Sequence, residues 1–107
     1  MNRRAQVLYK DTPAGILSET DEGYEFYYLP EWLHHEHAMP ISLTLPLSIE
    51  PYVSKTLFPF FDGLIPEGWL LEIAIQTWKI NQRDRMGILL ATGKDCIGAV
   101  SIIPEVD

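Results

Sequence analysis

Phe58-Pro-Phe-Phe-Asp-Gly-Leu-Ile-Pro-Glu-Gly-Trp69 is the stretch around which the chain is organised. Its adjacent aromatics Phe60 and Phe61 call for burial, Asp62-Gly63 reads as a turn, and Pro66-Glu67 reads as a helix start. Proline fits the first helical turn, and a carboxylate there faces the positive end of the helix dipole. Phe58 to Phe61 therefore anchor the segment, and Asp62 to Glu67 shape the turn into the helix.

From Pro66 to about Lys79 the pattern is helical. At about 100° per residue, Leu70, Leu71, Ala74, Ile75 and Trp78 share one arc, with Glu72, Gln76 and Lys79 away from it. Two apolar residues do not fit that arc. Trp69 projects nearly opposite its centre and Ile73 lies well off it. The bland role for Trp69 is packing on the helix flank against Phe60 or Phe61. The alternative is a presented apolar patch, a setting in which tryptophan is enriched at binding hot spots.

Upstream, residues 6 to 10 and 15 to 20 read as a hairpin across the turn formers Asp11 to Gly15. Asp21-Glu-Gly23 then leads into Tyr24 to Tyr28, where Tyr24, Phe26 and Tyr28 share a face. Glu31 to His37 is ambiguous between a helical turn and a loop. Ile41-Ser-Leu-Thr-Leu45 alternates and predicts a strand between Pro40 and Pro46, while Pro51 to Ser54 reads as loop. Downstream, Asn81 is the expected N-cap of a helix over about residues 82 to 92, with Met86, Leu89 and Leu90 inward and Gly93 at its C′ position. Ala99 to Ile103 is the expected last strand, entered through Gly98 and stopped by Pro104. The whole is an α+β fold in one domain spanning 1–107: a small antiparallel sheet, made of a meander plus a C-terminal strand, packed with two α-helices.

Composition narrows the function. The 107 residues carry a net charge of −7, with 47% hydrophobic and 21% charged residues, which excludes a disordered tail. An acidic chain is a poor direct ligand for nucleic acid, whose binding is dominated by cations on phosphates. No apolar run approaches the roughly 20 residues of a membrane span, and no signal-peptide core follows Met1-Asn-Arg-Arg. A lone Cys96 fits a reducing, cytoplasmic setting as a small packed side chain. Glu19 to Glu22 reads as a solvated hairpin turn.

Motifs for phosphate binding, redox chemistry and nucleophilic catalysis are missing. His34, His35 and His37 with Glu36 have metal-ligand types, but neighbouring positions converge poorly on one tetrahedral ion, so no metal is assigned. Asp62 and Glu67 are paired carboxylates only in sequence, since turn and helix-start roles account for both. No catalytic residue and no cofactor is expected.

Three spaced segments carry a resemblance: Ile41-Ser-Leu-Thr-Leu-Pro-Leu47, Leu57 to Gly68, and Gly87-Ile-Leu-Leu-Ala-Thr-Gly-Lys-Asp-Cys-Ile-Gly-Ala-Val100. Together with the opening strand and turn, they resemble the N-terminal subdomain of HipA-type kinases across nearly the whole chain. In those toxins a kinase core follows the subdomain, and a DNA-binding antitoxin of the HipB type restrains the kinase. Here the kinase core is absent, so catalytic activity is not carried over. What is left resembles HipS, the separate small protein of HipBST systems, whose kinase HipT is a shortened HipA.

The resemblance implies an antitoxin that binds a HipT/HipA-type kinase in trans through the surface the attached domain would use. Because Trp69 lies opposite the core arc of its helix, the expected partner-binding residues are Gly63, Leu64, Ile65, Pro66, Glu67, Gly68, Trp69 and Ile73, with Trp69 directed toward the kinase's nucleotide or catalytic cleft. Two other readings stand beside it: a non-inhibitory scaffold bridging the kinase and a HipB-type repressor, and the N-terminal fragment of a longer kinase.

Overall fold

The computed structural model describes residues 3–65, 68–93 and 99–105, without the side chains of Trp69 and Leu70. The meander forms first in the chain, from β1 (Arg4–Tyr9), β2 (Thr12–Thr20) and β3 (Gly23–Tyr28). The β1–β2 turn is tighter than the run of turn formers suggests. Only Lys10 and Asp11 lie outside the strands, both left-handed at φ 48 and 68, the geometry that matches strand twist in a two-residue hairpin. Pro13 and Ala14 thus belong to β2. They are absorbed by a bulge, since Val7 pairs with Gly15 and Leu8 with Pro13, leaving Ala14 opposite neither. The Ala14 carbonyl accepts the Leu29 N–H at 2.9 Å instead.

Two further strands complete a five-stranded antiparallel sheet in the order β4-β3-β2-β1-β5, with β4 spanning Tyr52–Ser54 and β5 spanning Val100–Pro104. The alternating Ile41 to Leu45 run is not one of these strands. It is a turn closed by a bridge between Ser42 and Leu45. The Tyr28 hydroxyl accepts the Ile41 N–H at 3.1 Å and donates to the Leu45 carbonyl, which holds both ends of the turn against the sheet. Ile41 and Leu45 are buried, whereas Leu43 between them is 97% exposed, so the period-two face is broken. Tyr52 to Ser54, expected as loop, is the edge strand, and the Tyr52 hydroxyl donates to the Pro46 carbonyl at 2.7 Å.

Among the described residues four helices lie in the connections, two more than expected. Pro30 starts α1 (Pro30–Leu33), whose buried Trp32 donates its indole N–H to the Met39 carbonyl at 3.0 Å. Pro59 starts α2 (Pro59–Asp62) inside the aromatic stretch. Then come α3 (Gly68–Trp78) and α4 (Arg85–Thr92). Asp84 rather than Asn81 caps α4, its Oδ1 accepting the Gly87 N–H at 3.1 Å. Asn81 opens the preceding turn, its Oδ1 accepting the Arg83 N–H at 2.9 Å. Gly93 is right-handed at φ −68. It is glycine for want of space, because a Cβ there would stand 2.6 Å from Ile102 Cβ.

The core joins Val7, Leu17, Phe26 and Ile102 of the sheet to Phe61 of α2 and to Met86, Ile88 and Leu89 of α4. Ile88, not among the expected inward residues, is buried while Leu90 is only partly so. The reason is that α4 is covered both by β5 and by α3, which widens its buried arc. Arg3 clamps this arrangement at one corner. Its guanidinium binds Glu19 through Nε at 3.0 Å and Nη2 at 2.8 Å, and Asp84 through Nη1 and Nη2, both at 2.9 Å. Glu19 is thus an ion-pair partner at the end of β2 rather than part of a solvated hairpin turn. These bonds hold the carboxyl groups of Glu19 and Asp84 below their ordinary range. Among the described residues no helix is long and apolar enough to cross a membrane.

Candidate functional site

The aromatic stretch divides into an anchor and a presented part. Phe58, the N-cap of α2, and Phe61 are buried, and Phe60 is partly so. Phe61 sits at the centre of the cluster, with ring centroids 5.4 Å from Phe26, 6.0 Å from Phe58 and 5.2 Å from Phe60. Offset and edge-on pairs of this kind add specific attraction to the apolar area they bury. Phe58 to Phe61 are the anchor that their residue types suggested.

Asp62 closes α2 and accepts the Arg85 Nε–H at 2.6 Å, tying α2 to the start of α4. Gly63 follows as the C-cap of α2, its N–H donating to the Pro59 carbonyl at 2.9 Å. Leu64 and Ile65 continue the turn by donating to Phe61 and Asp62 carbonyls at 3.0 and 3.2 Å. Gly63 is exposed, Leu64 half-buried, and Ile65 buried in the core. Pro66, Glu67 and the Trp69 side chain lie outside the described residues, as does Cys96.

Gly68 opens the described part of α3 at φ +63, in the left-handed region, with open space where a Cβ would stand. Its residue type is set by backbone conformation and not by crowding. Along α3, Ala74 is buried, and Leu71 and Ile75 pack against the core. Ile73 is 49% exposed, as its place off the apolar arc suggested. Position 69 stands one helical turn before it on the same face.

Trp78 departs from the expected arc, at 55% exposure. It is the last residue of α3, where Lys79 turns left-handed at φ 54 and the Ile80 N–H returns to the Ile75 carbonyl at 3.0 Å. That Schellman-type closure brings Ile80 inward and leaves Trp78 at the rim. Trp78 is the apolar surface residue the periodicity missed. Only its position at the helix end, beyond the last turn packed on α4, signals it.

The three histidines do not form a metal centre among the described residues. His34 Nδ1 is 2.9 Å from the Pro30 carbonyl, and His35 Nδ1 accepts the His37 N–H at 3.0 Å. Both contacts are local to the end of α1.

What the geometry presents is therefore the exposed Ile73 of α3 beside a firmly anchored turn, and comparison with other proteins gives the family of the chain. The family described as HipA N-terminal domain matches residues 5–103. The chain belongs to that family. A small uncharacterized protein of Haemophilus influenzae is 37% identical over 103 residues, which cover 96% of this chain and 93% of that protein. A putative kinase of Sinorhizobium fredii, Y4mE, is 32% identical over 80 residues, and the match spans 75% of this chain but only 19% of the kinase.

Among solved structures, the N-terminal domain of HipA toxin is similar at a TM-score of 0.75 and 31% identity, covering 98% of this chain and 94% of that one. HipA in a Shewanella oneidensis complex with HipB and operator DNA shares the fold at a TM-score of 0.75 and 22% identity, over 96% of this chain and 24% of that one. The family ties the domain to the HipA toxin system, and the α+β expectation is borne out by both the architecture and these likenesses.

Proposed function

We propose that this HipA N-terminal domain binds a HipA-type or HipT-type kinase in trans and neutralises it, acting as an antitoxin. The observation that carries this reading is Ile73, a large apolar side chain 49% exposed on α3, one turn after position 69 on the same face. A helix face of this sort on an acidic chain is suited to a partner surface and not to water. Its relatives supply the kind of partner. The same domain makes up nearly all of a small protein in one case and about a fifth of a putative kinase in another. A domain that is attached to a kinase core in one chain has a surface fitted to that core, and as a separate chain it can occupy the same place.

The contact region in this proposal is the turn and helix start from Gly63 through Leu64, Ile65, Pro66, Glu67 and Gly68 to Trp69, together with Ile73. Ile65 acts from beneath by filling the core, while Gly68 lets the chain enter α3 in a left-handed conformation. Trp69 is the proposed plug of the kinase cleft. The domain itself contributes no chemical step.

Phosphorylation assays with active kinase and the purified chain, in the absence of any repressor, test the proposal. Suppression of phosphorylation in proportion to added chain is the expected result, and Trp69→Ala should weaken it by about 2 kcal/mol or more, the scale of a buried interface tryptophan. Unchanged phosphorylation in the presence of a stable complex would favour a scaffold that joins the kinase to a HipB-type protein. Equal suppression by Trp69→Ala and the unaltered chain would remove the plug.

A further inference from the structure

A cleft of about 510 Å³ opens beside the β1–β2 turn, away from the α2–α3 region, and its walls carry a mixed chemistry. Tyr9 and Trp32 stand with ring centroids 5.6 Å apart, and His35 stacks on Trp32 at 5.3 Å with planes 28° apart. Tyr9 and His35 present an aromatic wall, with Trp32, 2% exposed, behind them. Lys10, set by its left-handed φ of 48, reaches back over the wall with Nζ 5.8 Å from the Tyr9 centroid, and it makes no ion pair among the described residues. Thr12 adds a hydroxyl to the same lining.

His35 contributes a donor of defined position. Because its Nδ1 accepts the His37 N–H, the proton of the neutral ring is on Nε2, for which no described residue is an acceptor. Among the described residues no carboxylate lines the cleft, although the chain has 15 acidic residues. Glu36, between the lining residues His35 and His37, stands 3.2 Å from His37 Nε2, and Asp11, between Lys10 and Thr12, is exposed on the turn without lining the cleft. Met39, unbranched and adaptable, lies at the edge.

A neutral ring would use only the wall of this cleft, and a bare anion only its donors. We infer that the cleft binds a small aromatic anion, a planar ring carrying a phosphate or carboxylate, with the ring against Tyr9 and His35, which Trp32 backs from beneath, and the charge at Lys10 Nζ and His35 Nε2–H. The volume falls within the usual range of small-molecule sites, and charge-assisted bonds plus ring stacking are the interactions that such a site uses. This inference is independent of the kinase-binding proposal.

A ¹H–¹⁵N NMR titration of the intact chain tests it with phenyl phosphate, phenylacetate, inorganic phosphate and benzyl alcohol as probes. Phenyl phosphate or phenylacetate should shift the Trp32 indole N–H and the Thr12 and His37 amides saturably, and whichever binds tighter assigns the anionic group. Inorganic phosphate and benzyl alcohol should bind at least about tenfold more weakly. Lys10→Gln should weaken the aromatic anion by about tenfold, Lys10→Arg should retain it, and Lys55→Gln, directly after β4 and beside the β2–β3 turn, should leave it unchanged. The inference is overturned if neither aromatic anion saturates by about 10 mM, if benzyl alcohol or phosphate binds as well, or if Lys10→Gln in a chain with a native spectrum binds like the unaltered one.

Discussion

Arg3 holds Asp84 through two N–H···O bonds of 2.9 Å, joining the entry to β1 with the N-cap of α4 across the sequence. The same guanidinium grips Glu19, and the two carboxyl groups it serves are both kept below their usual range by its hydrogen bonds. A depressed carboxylate contributes stability that is complete above its unfolded value and is lost as pH falls through the folded one. Arg3→Met should therefore cost stability at pH 7 and progressively less in acid. Because the three side chains are partly solvated, the cost stays near the exposed-pair range, about 1 kcal/mol, or roughly 4–8 °C in Tm. Thermal melts at pH 7, 4 and 2 check it, and a gap between the two proteins that did not narrow in acid would contradict the linkage.

The Tyr28 hydroxyl bonds both ends of the Ile41–Leu45 turn, and burial pushes its pKa up, so it stays a protonated donor at neutral pH. Tyr28→Phe leaves the Ile41 N–H and the Leu45 carbonyl without this partner, at an expected cost of about 1–3 kcal/mol. Hydrogen exchange should show the Ile41 amide losing protection before the β1–β2 amides do.

Phe61 is fully buried among Phe26, Phe58 and Phe60. Its truncation to alanine should cost about 3–5 kcal/mol, a large share of the roughly 5–15 kcal/mol that a domain of this kind has. The urea midpoint measures it, and Phe60→Ala, at a partly buried site, should move that midpoint less.

Ile73→Glu changes an exposed position on α3, so it should leave stability within about 0.5 kcal/mol. Its effect belongs to the interface. Calorimetric titration into the partner kinase should show binding weakened by about tenfold or more, with Ile103→Glu on the β5 edge as a control that binds normally. Normal binding by Ile73→Glu would move the contact off this helix face.

The meander, α3, α4 and β5 were legible because each is long enough to show its period and is bounded by turn or cap residues. What escaped was set at longer range. Tyr52–Ser54 has three residues, too few to display alternation, and is a strand because β3 lies beside it. Ile41 to Leu45 alternates well but is folded into a turn by a tyrosine hydroxyl from another element. Asp84 displaced Asn81 as the cap because Arg3 steadies its carboxylate at the start of the helix. Within the candidate site, the anchoring role of Phe58 to Phe61 and the exposure of Ile73 followed from residue type and helical period. The exposure of Trp78 did not, since a repeating pattern says nothing of where the helix stops packing.

The sheet order places β1 between β2 and β5, so Val7 pairs with Gly15 on one side and with Ile102 on the other. During synthesis the first partner is available within moments, and the second comes from the opposite end of the domain. Until then the nascent chain carries an open β1 flank and lacks the Ile102 side chain that Gly93 is shaped to receive. During synthesis the domain's oldest strand thus waits for its youngest, and that interval, more than the finished fold, is when another strand has its opportunity to intrude.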